Sequence, residues 1–226
     1  MRSSRPEHEP RQHNVVVANG AATVAIAVAA PGPVQSAETA TVSQHDLQAK
    51  LVYCKTCHGV AAEGYHGSVP MPRLAGQQRE YLESQLQAFV DGRRKNKFMF
   101  DVAKVLSPTM RTALAAHFEN LNPKPVGGTP RELVRAGKKI YEEGVPDSNI
   151  PPCSSCHGAD AKGGADGPRL AGQLRDYTFK TLMHWSNERG QDPAKPNASA
   201  AIMEPIARSL TETQISGVAA YLSEVE

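Results

Sequence analysis

The reactive side chains of this sequence are concentrated in two pentapeptides, Cys54-Lys55-Thr56-Cys57-His58 and Cys153-Ser154-Ser155-Cys156-His157. They hold all four cysteines of the chain, and each is followed by a glycine, Gly59 or Gly158. The pattern Cys-x-x-Cys-His reads as covalent haem attachment. On a helical turn, residues three and four apart share a face. Two thiols can then meet two vinyl groups along one edge of a porphyrin while the adjacent imidazole turns under the iron. Other uses of the same residues fit less well. A structural zinc would need the pairs together, yet the motifs start 99 positions apart and each brings its own His. A thioredoxin-like pair would need a βαβ setting, which the sequence lacks. Two structural disulfides in an exported protein are the remaining alternative, outweighed by the complete motif occurring twice.

Whether such an iron binds substrate or only passes electrons depends on its sixth ligand. A His/Met pair fills both axial positions and suits electron transfer. The first half offers Met71, Met99 and Met110. Met71 follows His58 by only thirteen residues, too few to reach the opposite face, and Met110 falls inside an expected helix, where packing is its reading. Met99 is left, in a segment expected to be irregular. Its counterpart is Met203: the two stand eight residues before Ser107 and Thr211 respectively. Met183 falls in a helix expected over Gln173 to Asn187 and reads as core. His117 and His184 are the bis-His alternative, although a lone His on a helix is better read as structural. A ligating His usually gives its other ring nitrogen to an acceptor. The backbone carbonyls of Pro72 and Pro168 would serve, a plain turn proline being the alternative at each.

These residues need a scaffold. The 226-residue chain has room for one large domain or two of about 100 residues, and two attachment motifs favour two. Hydrophobic residues make up 40% and aromatics 5%, with one Trp, so each half has a modest core that a bound macrocycle would complete. Without haem each half is expected to fold poorly. The net charge of +2 gives no support for nucleic-acid binding. Residues 44–122 carry ten Lys/Arg against seven Asp/Glu, net +3, and residues 129–226 carry eleven against thirteen, net −2.

Along the chain, residues 1–36 combine three arginines, a Val/Ala-rich run over 15–30 and small residues, which reads as an export signal cleaved after Ala29 or Ser36. The run is shorter than a spanning helix requires; an uncleaved anchor or a plain tail is the alternative. Residues 37–43 form a flexible lead-in, and a helix over Gln44 to Tyr53 delivers Cys54. Periodicity predicts a helix over Gln77 to Val90, ended by Gly92. The basic run Arg93 to Lys97 follows. Ser107-Pro108 opens a helix to Asn120. Residues 123–130, rich in Pro and Gly, form a linker, and a helix runs from Arg131 to Glu143, stopped by Gly144. Thr211 with Gln214 is a capping box for a final helix. The organisation is all-α, with one domain over 44–122 and a second over 131–226.

The second half repeats the first. Pro168-Arg169-Leu170-Ala171-Gly172-Gln173 is letter for letter Pro72-Arg73-Leu74-Ala75-Gly76-Gln77, and Tyr177 matches Tyr81. The offsets are 99 at the haem motif, 96 at the Pro-Arg-Leu block and 104 at the Met, so length differences fall in loops.

On both Cys-x-x-Cys-His-Gly motifs, both Pro-Arg-Leu-Ala-Gly-Gln blocks, both later tyrosines and both Met segments, residues 44–226 resemble the dihaem cytochrome c4 family. The resemblance implies two tandem helical cytochrome c domains, two covalently bound haem c groups, His58/Met99 and His157/Met203 ligation, acceptance from the histidines at Pro72 and Pro168, and haem edges facing each other across the domain interface. It also implies a periplasmic carrier that takes electrons from a quinol-oxidising complex or a dehydrogenase and gives them to a terminal oxidase, with peripheral association with membrane complexes. The opposite charges of the halves suggest a different partner for each, Arg93 to Lys97 facing an acidic one, unless that run is merely a solvated loop. The competing reading is a haem c subunit of a periplasmic oxidoreductase acting on alcohol, sulfur compounds or peroxide. Catalysis at iron needs an open axial position, and two well-placed methionines argue against it.

Overall fold

Helices begin where the sequence supplies a cap or a proline. In the computed structural model, which describes residues 41–164, 167–189 and 198–226, Ser43 accepts the backbone N–H of Asp46 and starts α1, Gln44–His58. Ser107 caps α4, Pro108–Glu119, with proline in its first turn. Thr211 and Gln214 form the reciprocal capping box of α10, Glu212–Leu222. Between them lie α2, Arg79–Val90, α3, Lys97–Ala103, α5, Arg131–Glu143, α6, Ser154–His157, α7, Arg175–Met183, α8, Trp185–Arg189, and α9, Ala198–Ser209. Two isolated antiparallel bridges, Tyr65 with Met71 and Val145 with Ile150, are the only β pairing among the described residues. The expected export signal lies outside the described residues. No helix among the described residues is long and apolar enough to cross a membrane.

Two cores form, one in each half. In the first, Leu51, Leu82, Met110, Leu114 and Phe118 gather from α1, α2 and α4, joined by Leu106 from the turn before α4. In the second, Tyr141, Ala161, Ala171, Val218 and Leu222 join α5 and α10 to the loops under α6. Helices α5 and α10 cross at Gly137 and Gly217; a Cβ on Gly137 would lie 1.9 Å from the Gly217 carbonyl oxygen.

Several expectations are corrected. Helix α1 continues through Cys54 and Cys57 to His58, where Gly59 at φ 89° ends it, rather than stopping at Tyr53. Met99 lies on a short helix, α3, capped by the Asn96 side chain, and not in irregular chain. The long helix expected over Gln173 to Asn187 is two helices broken at His184. Trp185 gives its indole N–H to Ala200 O at 3.1 Å and Arg189 turns into the protein, so tertiary partners override the periodicity. Met183, read as core, is 41% exposed.

Candidate haem sites

Each Cys-x-x-Cys-His turn leads into the same loop. The His58 carbonyl accepts Gly64 N–H at 2.8 Å, and the His157 carbonyl accepts Gly163 N–H at 2.9 Å. Ala62 and Ala161 adopt positive φ, 58° and 56°. Their carbonyls hold the following block: Ala62 O accepts Leu74 and Ala75 N–H at 2.9 and 3.1 Å, and Ala161 O accepts Leu170 and Ala171 N–H at 2.8 and 2.9 Å. This pins the Pro-Arg peptide beside the imidazole. His58 Nδ1 stands 2.8 Å from Pro72 O and His157 Nδ1 stands 2.9 Å from Pro168 O. A carbonyl can only accept, so Nδ1 carries the proton and donates, and the lone pair is on Nε2, where an iron would bind. Both rings are buried, and burial holds both below the usual histidine range, hence neutral.

All four thiols are free. Burial raises Cys54, and raises Cys153 to about 11. Among the described residues no group of three or more His, Cys, Asp or Glu is placed to hold a metal ion; each cysteine pair keeps its own histidine. A cavity of about 240 Å³ lies between the Cys54 turn and α3, lined by Tyr53, Cys54, Phe98, Val102, Val105 and Leu106 among others. It is largely apolar and joins an attachment cysteine to the helix carrying Met99, which suits the edge of a macrocycle. Met99 and Met203 are both half-buried, Met203 on α9, which packs against α7 and α8. Met110 is core, as read. His184 is exposed and His117 meets Phe118 edge-on.

A cluster that sequence reasoning missed joins the halves. Arg94 donates to Tyr177 Oη at 2.7 Å and to Gln85 Oε1 at 2.9 Å, while Arg189 reaches Tyr81 Oη at 3.3 Å, Gln85 Oε1 at 3.2 Å and Tyr177 Oη at 3.4 Å. Among the described residues neither guanidinium hydrogen-bonds a carboxylate, and none of them partners the buried Nε of Arg189. Burial opposes ionisation of Tyr177, but Arg94 and Arg189 outweigh it and bring the phenol down to about 8. Arg94 acts electrostatically on His58 of the first attachment motif, and guanidinium groups so placed would suit a haem carboxylate. The available signal was the repeat: Arg94 follows Tyr81 by thirteen residues and Arg189 follows Tyr177 by twelve. Within the basic run Arg93 to Lys97, Lys95 and Lys97 are exposed, while the two arginines are engaged by the protein. Arg94 points inward, Arg93 pairs with Asp91 at 2.9 Å, and Lys97 pairs with Asp101 at 3.1 Å.

The family model for cytochrome c matches residues 49–124 and again 134–226. The chain is 36% identical to cytochrome c4 of Thiocapsa roseopersicina, over 75% of this chain and 85% of that protein. It is 34% identical to the thiosulfate dehydrogenase electron acceptor of Thiomonas intermedia, over 75% of this chain and 77% of that protein. The crystal structure of reduced recombinant cytochrome c4 from Pseudomonas stutzeri superposes with a TM-score of 0.69 at 27% identity, covering 81% of this chain and 99% of that one.

Proposed function

The chain belongs to the cytochrome c family, as a dihaem cytochrome of the c4 kind with two tandem helical domains and two covalently bound haem c groups, and we propose that it shuttles electrons in the periplasm from a quinol-oxidising complex or a dehydrogenase to a terminal oxidase. The observation that carries this reading is the duplicated histidine site: two neutral imidazoles, each with Nδ1 committed to a proline carbonyl. When bound, the haems supply one-electron chemistry at iron. Cys54, Cys57, Cys153 and Cys156 would hold them, with His58 and Met99 as iron ligands in the first half and His157 and Met203 in the second. Pro72 and Pro168 orient the imidazoles and raise their basicity. Residues 44–122 and 131–226 are the two domains, joined through 123–130 and preceded by an export signal.

The test is reconstitution. Holoprotein added to membranes that contain a quinol-oxidising complex and a terminal oxidase should restore quinol-dependent oxygen uptake. No restoration at any concentration contradicts the shuttle. A second reading, the electron-accepting subunit of a sulfur-compound dehydrogenase, is favoured by the similarity to the thiosulfate dehydrogenase electron acceptor. Copurification with a dehydrogenase that reduces this protein in the presence of thiosulfate would select it.

A further inference from the structure

The peptide that holds each histidine is gripped at its other end by the opposite half. Pro72 O accepts His58 Nδ1–H at 2.8 Å, and the N–H of the same peptide group, on Arg73, donates to Gln173 Oε1 at 2.8 Å. The mirror contact is as complete: Pro168 O accepts from His157 Nδ1 at 2.9 Å while Arg169 N–H donates to Gln77 Oε1 at 3.0 Å. Each glutamine closes a ring by returning its amide N–H to the same arginine's carbonyl, Gln173 Nε2 to Arg73 O at 3.1 Å and Gln77 Nε2 to Arg169 O at 3.0 Å. The amide orientation is set by these partners. Each Oε1 also accepts a second backbone N–H, from Leu174 at 3.0 Å or Gln78 at 3.1 Å, so a flipped amide would face donors with donors.

We propose that Gln77 and Gln173 are positioning residues that tune the haem of the opposite half, each polarising the peptide that accepts the proximal histidine's proton. An acceptor on an amide N–H pushes density onto that amide's oxygen, and hydrogen bonds in a chain strengthen one another by roughly 10–30%. A stronger acceptor at Pro72 O gives His58 more imidazolate character, which favours the ferric state, because hydrogen bonding around the axial ligand is one of the levers on haem potential. Gln173 therefore acts on the first haem and Gln77 on the second. The proposal rests on His58 and His157 being iron ligands.

The experiment uses the holoprotein with labelled histidine, Gln173→Met and Gln77→Met. In the ferrous protein, the Nδ1–H resonance of His58 should move upfield in Gln173→Met while that of His157 stays; Gln77→Met should do the reverse. In a redox titration each variant should raise one of the two couples, by about threefold in the ferrous-to-ferric ratio, or about 30 mV at ~59 mV per tenfold for one electron. Movement of both resonances together, or of the histidine in the same half, shows a loosened interface and overturns the proposal, as does no movement. Should the Met variants fail to fold, Gln173→Glu keeps an acceptor on Arg73 N–H, and a charged one, while losing the donor: an upfield shift at His58 there also overturns it. Failure of the parent reading looks different, since wild-type protein would then lack two six-coordinate haems before any variant was compared.

Discussion

The two halves place the same histidine and carbonyl at nearly the same distance, 2.8 and 2.9 Å, on different scaffolds. In the first half the attachment motif is the end of a fifteen-residue helix. In the second it is a four-residue turn, cut off from α5 by Gly144 at φ 72°, a 3₁₀ turn at Pro146–Ser148 and Pro151-Pro152. A helix leading into the motif is therefore dispensable for orienting the imidazole. What the halves share is the loop after it: the left-handed alanine, its doubly used carbonyl and the Pro-Arg-Leu block. The second half offsets its broken entry with a tighter crossing of α5 and α10 through Gly137 and Gly217, whereas neither α1 nor α4 contains a glycine.

The largest expected effect comes from removing one site outright. Cys153→Ala with Cys156→Ala should lower the haem count from two to one, measured as pyridine haemochrome, because the thiols, the histidine and its carbonyl acceptor at the first site all come from the first half; loss of both haems would show that the halves mature together. Next is the glycine crossing. Gly137→Ala should destabilise the second half by about 3 kcal/mol through overpacking against backbone, visible as earlier thermal loss of native signal at the second haem alone. Met203→Ala should leave both haems attached and open one iron to carbon monoxide, which separates attachment from ligation. The smallest effects lie at the caps: Ser43→Ala and Thr211→Ala should each cost about 1 kcal/mol, the first confined to α1 and the second to α10 in hydrogen exchange.

Much of this was legible because it is local. Ser107-Pro108, Thr211 with Gln214, and Gly144 each mark a helix end by their own chemistry, and the observed bounds follow them. The extent of α1 was not legible from periodicity, since only Leu51 and His58 are buried along it; a face that protein does not cover leaves no apolar stripe to read. The helix under Met99 depends on an Asn96 cap within a run dominated by basic residues. The break at His184 depends on Trp185 and Arg189 finding partners far away in sequence. The repeat itself shows that Gln77 and Gln173 are equivalent, but a duplication in sequence carries no sign that the copies grip each other.

The central claim is that both irons are closed six-coordinate centres that relay electrons. The most direct measurement is an optical spectrum of the exported protein, oxidised and reduced, with haemochrome counting and added carbon monoxide. The account predicts two c-type haems, a methionine-to-iron charge-transfer band in the oxidised protein and no carbon monoxide binding in the reduced one. A haem that lacks the methionine band and binds carbon monoxide would contradict it and make that iron a site for substrate.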